Sequence, residues 1–171
     1  GMIKETEKKI VKFNEDPLTE EEKEVYEKTI VEYGEFPITK SYGILLKGND
    51  TNKEHYNPIL EISGYNCKFR GRCEMLVIKD NKIFMVKLDH KKDDATYRVP
   101  GGAWDKNESH DQAAKRECEE EANIVVKNIM FGAKRIFIEN DYQKWVKENV
   151  PEDIQWKGYY TEVFVGTFDS Y

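Results

Sequence analysis

The chain has 171 residues and a mass of 20.1 kDa, a size that corresponds to about one domain. It carries 27 Lys and Arg residues against 33 Asp and Glu residues, a formal charge of −6 without a basic stretch, so nucleic acid is not an expected partner. Hydrophobic residues make up 39% and suffice for a core, but no apolar run approaches the roughly 20 residues of a spanning helix, which argues against a membrane protein.

Cysteine usage indicates a reducing environment. The three cysteines, Cys67, Cys73 and Cys118, are an odd number and lack the paired spacing of metal ligands. Neither a disulfide framework nor a zinc cage is therefore predicted. Together with 35% charged residues and a mean hydropathy of −0.79, this favours a globular protein of the cytoplasm.

The N-terminal segment, residues 2–60, is acidic and rich in lysine, and it predicts one helix over residues 20–33. Thr19 is a suitable N-cap, Glu22 completes a capping box with it, and Gly34 stands where a left-handed C-terminal residue belongs. The modest apolar face of this helix favours packing against the rest of the protein. A solvated arm is the alternative, because Glu and Lys dominate the segment.

From about residue 72 the pattern changes to strands. The runs 75–78 and 83–86 flank Asp80 and Asn81, which predicts a hairpin with its turn at these two residues. Short apolar runs recur at 124–126, 136–138 and 163–165, and one clear helix lies between the hairpin and these runs. Strands around a single helix indicate an α/β or α+β sandwich.

The helix lies within residues 98–124. Ser109 is its predicted N-cap, with Gln112 at the reciprocal position of a capping box, and Asn123 ends it in the left-handed conformation. Small residues recur every fourth position along one side, which predicts close packing against a sheet. They are Ala114, Cys118 and Ala122.

Three carboxylates share one face of this helix. At about 100° per residue, Glu117, Glu120 and Glu121 fall within an arc of roughly 100°. Like charges at these spacings repel one another, and a hard divalent cation such as Mg²⁺ is the natural compensation. Arg116 is placed to orient a carboxylate, and Gly102 lets the backbone approach a metal closely. The alternative is an ordinary solvated acidic face.

This stretch resembles the signature of the Nudix hydrolases, which places Gly, Glu, Arg-Glu, Glu-Glu and an apolar residue at fixed spacings. Asn123 stands where the signature has Gly, and Asn adopts the same left-handed conformation at modest cost. The positions that match are Gly102, Glu108, Arg116, Glu117, Cys118, Glu120, Glu121 and Ile124.

The resemblance implies an α/β fold of the Nudix type, an α/β/α sandwich around a mixed β-sheet, over residues 61–171, with the helical N-terminal extension before it. It also implies a further strand and a closing helix after the run at 163–168. Because the sequence ends at residue 171, we expect that the domain lacks them, or that the extension, a second copy in a homodimer, or a helix near residues 142–148 covers that face.

The resemblance also implies the roles of the site residues. Glu117, Glu120 and Glu121, with the carbonyl of Gly102, would hold Mg²⁺ or Mn²⁺. Glu108 and Arg116 would brace the loop and aim Glu117. Either Glu117 or Glu120 would act as the general base. Some family members take a carboxylate from a later loop, for which the candidates are Glu139 and Glu162.

The remaining candidates concern the substrate. Arg98 and Arg135 are placed to reach a phosphate, although surface arginines on strands are also common. The histidines are interpreted as ordinary surface residues. Aromatic residues near the C-terminus either line a nucleobase pocket or, as we favour, close the core. They are Trp145, Trp156, Tyr159 and Tyr160.

The family resemblance implies hydrolysis of a pyrophosphate bond in a nucleoside diphosphate linked to another group, of the nucleotide sugar or ADP-ribose type. Two alternatives stay open. The protein is a house-cleaning enzyme for oxidised nucleoside triphosphates, or it is a non-catalytic domain that senses a nucleotide. The intact carboxylates argue against the sensor, since a sensor has no need of three like charges.

Overall fold

The structure, a computed structural model, describes residues 36–47, 54–88, 96–105 and 107–171. The helix predicted over residues 20–33 lies outside the described residues. The described part of the chain begins just before the first strand. Within it, no helix has the length and apolar content that crossing a bilayer requires.

Strands predominate in the described ranges. The strands are β1 (Ile38–Lys47), β2 (Glu54–Ile62), β3 (Lys68–Lys79), β4 (Lys82–Ile83), β5 (Val86–Leu88), β6 (Thr96–Arg98), β7 (Gly101–Gly102), β8 (Val125–Ile138) and β9 (Trp156–Ser170). The helices are α1 (His110–Ala122) and α2 (Lys144–Asn149), and a 3-10 turn covers Glu152–Ile154. The α2 helix corresponds to the one expected near residues 142–148.

Seven of the described strands form one mixed sheet. Its main order is β1-β2-β3-β9-β8, and the short strands β4 and β7 pair with β3. The central β3 and β9 run parallel, while the other pairings are antiparallel. Strands β5 and β6 form a separate two-stranded hairpin. The mixed sheet expected from the sequence is confirmed.

The first two strands of the sheet begin inside the segment 2–60 that was expected to be an extension. Strand β1 pairs with β2 over its whole length, and β2 continues to Ile62. The consecutive β2 residues 57–60 are buried, with Ile59 and Leu60 almost fully covered. A strand buried on both faces lacks the alternation of polar and apolar residues that identifies an exposed strand, which explains why the sequence pattern does not mark it.

The hairpin predicted between β3 and β4 is confirmed. Asp80 and Asn81 have φ values of 52° and 63°, as the two central residues of a type I′ turn require. The two strands of this hairpin pair over only two residues each, 78–79 of β3 and 82–83 of β4. The run at 83–86 is therefore divided between β4 and β5.

The apolar runs at 124–126 and 136–138 belong to one strand, not two. Strand β8 covers Val125–Ile138 and pairs with β9, with shifts in register between Lys127 and Met130 and between Phe131 and Ala133. Asn128 adopts a φ of 54° at the first of these irregularities. A bulged strand loses its strict period of two, so its pattern does not predict a continuous strand.

Helices cover both faces of the sheet. On one face, the small residues Ala114, Cys118 and Ala122 of α1 are fully buried and share a core with Met75 and other sheet residues. On the other face, residues of α2 and the turn after it pack with Ile59 and Trp156. The predicted small-residue stripe and the three-layer α/β/α sandwich are confirmed.

Candidate active site

The acidic helix starts from a loop that is fixed to the centre of the sheet. Gly101 and Gly102 form β7, which pairs with Glu74 and Cys73 of β3. The predicted capping box is present, because Ser109 and Gln112 exchange side-chain and backbone hydrogen bonds at the start of α1. At its end, Asn123 has a φ of 53° and a ψ of 40°. Both predicted helix ends are confirmed.

Arg116 joins the loop to the helix. Its Nη2 atom donates to Oε1 of Glu108 at 2.8 Å and to the carbonyl of Ala103 at 3.2 Å. Its Nη1 atom donates to Oε1 of Glu117 and to Oε2 of Glu120, each at 3.1 Å. The hydrogen bond with Glu108 above all, and then the charges of Glu117 and Asp105, raise the pKa of the Arg116 guanidinium against the opposing effect of burial. Arg116 is therefore a permanent cation that fixes three carboxylates at once.

Glu117 is buried against the backbone of Gly102. A Cβ atom on residue 102 would lie 2.6 Å from Oε1 of Glu117, so the carboxylate keeps this position only because residue 102 is glycine. Burial raises the pKa of the Glu117 carboxyl to about 7, the charge of Glu121 adds to this effect, and Arg116 opposes it. A carboxyl with such a pKa changes its charge near neutral pH.

Glu121 is also buried, and it lies beside Glu117. Its Oε1 atom accepts a hydrogen bond from Nη2 of Arg98 at 3.2 Å, and its Oε2 atom accepts one from the amide of Gly101 at 3.2 Å. Burial raises the pKa of Glu121, while Arg98, the Gly101 amide and a hydrogen bond with the Glu117 carboxyl oppose this. Two adjacent buried carboxyls favour a state in which one of them keeps its proton.

Glu120 completes the acidic face and differs from the other two in its exposure. Its side chain is 40% exposed, and Arg116 holds it from the neighbouring turn. Glu119 lies on another side of the helix and is exposed. The three carboxylates thus range from two buried groups to one in contact with solvent.

The donor set suits a hard divalent cation, although the side chains do not form a closed metal cage. Among the described residues, no three His, Cys, Asp or Glu side chains stand in the arrangement of a metal site. Arg116 engages Glu117 and Glu120, and the thiol of Cys73 donates to the Gly102 carbonyl at 3.4 Å. The chemistry nevertheless fits, because the donors are carboxylate and carbonyl oxygens, and the missing Cβ of Gly102 lets the Glu117 carboxylate lie against the loop backbone.

The two arginines predicted to reach phosphate lie on one cavity. Arg98 and Arg135 line a cavity of about 680 Å³, together with Arg70 and Arg72 of β3. The last two are not among the residues predicted from the sequence. Their signal is present, since basic residues occupy alternate positions at 68, 70 and 72, but the predicted strand begins only at about residue 72.

Glu139 and Glu162, the two candidates for a carboxylate from a later loop, have other partners. Glu139 accepts a hydrogen bond from Gln143 at 3.2 Å. Glu162 lies 2.5 Å from Nδ1 of His110, whose ring stacks on Trp104 at 3.8 Å. His110 is thus part of the packing at the start of α1, not the ordinary surface histidine that we expected.

The aromatic residues near the C-terminus divide between the two roles considered for them. Tyr160 is buried in the core beneath α1. Trp145, Trp156 and Tyr159 pack on the opposite face and line a second cavity of about 240 Å³. The preference for core closure therefore holds for Tyr160, while the other three also border open space.

Comparison with known proteins gives the following matches. A family model described as the NUDIX domain matches residues 69–161. The chain is similar to a solved structure described as "NUDIX hydrolase from Nitrosomonas europaea", with 17% identity over 59% of this chain and a TM-score of 0.45, and it spans 60% of that structure's length. It is also similar to a structure described as "Crystal structure of ADP compounds hydrolase", with 13% identity, a TM-score of 0.42 and coverage of 81% of this chain and 70% of that one. No curated protein matches the chain.

Proposed function

Since this chain belongs to the Nudix family, we propose that it is a metal-dependent pyrophosphohydrolase that cleaves a nucleoside diphosphate linked to another group. The observation that carries the proposal is the bridging of the loop carboxylate Glu108 and the helix carboxylates Glu117 and Glu120 by Arg116. This bridging supports an organised acidic site. The carboxylates of an ordinary solvated face point into solvent, whereas here one guanidinium holds side chains from both the loop and the helix.

The proposed metal ligands are the oxygen donors around the start of the loop. Proteins of this family generally use divalent metal ions. In this chain, Glu117, Glu120, Glu121 and the Gly102 carbonyl would hold Mg²⁺ or Mn²⁺. When bound, such an ion polarises a phosphoryl oxygen and lowers the pKa of a water molecule.

The protein's own groups supply orientation and proton transfer. Glu108 and Arg116 are positioning residues, because Arg116 aims Glu117 from a fixed place on the helix. We assign the general base to Glu120 or Glu117. Glu120 contacts solvent and can reach a water molecule, whereas the pKa of Glu117, raised to about 7 by burial, lies near the value that suits a base at neutral pH.

The proposed substrate is a small nucleotide of the nucleotide sugar or ADP-ribose type. Arg98 and Arg135 would contact its phosphates, since both line the cavity and Arg98 also contacts Glu121. A guanidinium matches the oxygen atoms of a phosphate group with two parallel hydrogen bonds. This arrangement would place the phosphates beside the carboxylates.

Activity measurements test the proposal directly. The purified chain would be assayed with Mg²⁺ against ADP-ribose, nucleotide sugars, dinucleoside polyphosphates and nucleoside triphosphates for release of nucleoside monophosphate or phosphate. We expect turnover of at least one compound, and we expect Glu120→Gln to lower kcat about 100-fold or more while the melting temperature stays close to that of the wild type. Glu119→Gln is the matched control, because Glu119 is exposed on the same helix. Tight binding of a nucleotide without turnover of any compound would favour the sensor instead.

A further inference from the structure

Four arginines from three strands surround the larger cavity. Arg70 and Arg72 extend from β3, on the face of the sheet opposite α1, because their neighbours Phe69 and Cys73 lie in the core beneath that helix. Arg98 and Arg135 come from β6 and β8. We call this group the arginine pocket. Only one carboxylate, that of Glu74, lines it among the described residues.

Among the described residues, ion pairs balance only part of the charge of the arginine pocket. Glu74 is paired with Arg135 at 2.7 Å, and Arg98 is paired with Glu121 at 3.2 Å. Arg70 and Arg72 have no ion pair within the described part of the chain. The buried Nε atoms of Arg70 and Arg98 also lack a hydrogen-bond partner there. Burial and the charge of Arg72 lower the pKa of Arg70 to about 10. Unpaired buried donors of this kind are costly, and an anion would satisfy them.

A second cavity, with aromatic walls, adjoins the arginine pocket. The two cavities share Arg70, Gln143 and Tyr159. The guanidinium of Arg70 lies over the ring of Trp156, 5.8 Å from its centroid. The indole Nε1 atoms of Trp145 and Trp156 are buried and have no acceptor among the described residues. A planar ring with acceptor atoms, such as a nucleobase, suits these walls and donors.

We propose that Arg70 and Arg72 form, within the arginine pocket, a subsite for a phosphate group of the substrate additional to the two of the scissile pyrophosphate, which Arg98 and Arg135 contact, with the ring of the same ligand in the aromatic cavity. This inference rests on the proposed function, because it concerns the substrate of that same reaction. The scissile pyrophosphate would lie at the carboxylates of α1. Arg70 lies within range of the charge of Glu117, and Arg72 within range of that of Glu121, but neither forms an ion pair with them in the described part of the chain. A substrate with an uncharged sugar would leave these two guanidiniums unpaired. The substrate class is therefore a nucleotide that carries a further phosphate.

The unpaired guanidiniums of Arg70 and Arg72 should make the enzyme selective for substrates with the further phosphate. A site that is built to hydrogen-bond a polar group rejects an analogue without that group far more strongly than an apolar pocket rejects a smaller ligand. We therefore expect kcat/KM for a phosphorylated compound to exceed that for its unphosphorylated partner by about 100-fold. Matched pairs that differ by one phosphate are NADP⁺ and NAD⁺, coenzyme A and dephospho-coenzyme A, and ATP and ADP.

The first experiment measures the ratio of kcat/KM within each pair. We expect a ratio of about 100 for at least one pair in the wild type, and a fall of at least tenfold in that ratio for Arg72→Gln and for Arg70→Gln. Two variants are used so that a failure of either one to fold does not decide the result. Lys127→Gln is the control, because Lys127 is a surface cation that pairs with Asp169. Ratios near one for all pairs in the wild type would overturn the inference, as would a ratio that both variants retain.

The second experiment separates this inference from the proposed function. Binding of the same pairs is measured by calorimetry in EDTA, so that no hydrolysis takes place. Tighter binding of the phosphorylated member, lost in Arg72→Gln, supports the subsite even if no compound is turned over with Mg²⁺, in which case only the hydrolase is rejected. Turnover with Mg²⁺ and equal binding within every pair would leave the hydrolase standing and would reject the subsite.

Discussion

The carboxylate of Glu117 lies against the backbone of Gly102 and occupies the space in which a Cβ atom of residue 102 would lie. The carboxylate oxygen of Glu117 lies 2.6 Å from that position, a separation that real Cβ atoms do not tolerate. The same glycine pairs with Cys73 of β3, so its backbone cannot move away without loss of the ladder. The Glu117 carboxylate therefore occupies a position that only a glycine at residue 102 leaves free.

Gly102→Ala should displace the Glu117 carboxylate, because the side chain yields more easily than the paired backbone. A shift of about 1 Å at a reacting group costs on the order of 100-fold in rate, so we expect kcat to fall by about that factor. Gly64→Ala is the matched control. Gly64 has a φ of 88° with no atom within 4 Å of a new Cβ, so this change should lower the melting temperature and leave kcat unchanged. Equal kcat values in the two variants would contradict the assignment of Glu117.

Arg116→Lys tests whether one guanidinium must hold three carboxylates. A lysine ammonium keeps the charge but lacks the planar fork of donors that reaches Glu108, Glu117 and Glu120 together. Loss of such a positioning contact lowers metal affinity or activity by about 10-fold to 100-fold. We expect the Mg²⁺ concentration for half-maximal activity to rise by a factor in that range, measured by titration of the rate with Mg²⁺. Lys115→Gln, a change to the neighbouring cation on α1, should leave it unaltered.

The raised pKa of Glu117 predicts how stability depends on pH in the absence of metal. The pKa is about 7 in the folded protein and 4.5 for an ordinary glutamate, so the folded state binds more protons between these values. Stability is thus fully present below about pH 4.5 and falls as the pH rises towards 7. Glu117→Gln removes this loss, since glutamine does not ionise.

Melting temperatures in EDTA from pH 5 to pH 8 measure the effect. We expect the melting temperature of Glu117→Gln, relative to that of the wild type, to increase by a few degrees across this range. The exposed Glu119→Gln should show a difference that does not change with pH. If the difference in melting temperature between Glu117→Gln and the wild type did not change with pH, burial of the Glu117 charge would have no effect on stability.

Helix α1 and its loop are predictable because their information is local. Ser109, Gln112 and Asn123 fix the helix ends by contacts with their own neighbours, and a period of 3.6 residues places Glu117, Glu120 and Glu121 on one face. The bonds of Arg116 to Glu117 and Glu120 follow from the same short spacings. Short spacings along one helix are therefore enough to identify these residues as a group.

The arginine pocket is not predictable in the same way. Arg70 and Arg135 are 65 positions apart in the sequence. They line one cavity because β9 pairs in parallel with β3 on one side and with β8 on the other. The sequence pattern also does not indicate β2, whose buried run lacks alternation, or the bulges in β8. These features depend on long-range register, which local propensity does not encode.

The departure of this chain from the family signature gives a last prediction, at Asn123. Asn123 has a φ of 53° and its amide donates to the Cys118 and Glu119 carbonyls, so it serves as the left-handed end of α1 in place of glycine. Asn123→Gly should therefore keep both activity and melting temperature within error of the wild type. Asn123→Ala should cost about 1 kcal/mol, because alanine adopts the left-handed conformation poorly, and should lower the melting temperature by about 2–4 °C. Thermal melts of both variants at one protein concentration measure this. Equal losses in the two variants would mean that the Asn123 side chain, rather than its backbone conformation, ends the helix.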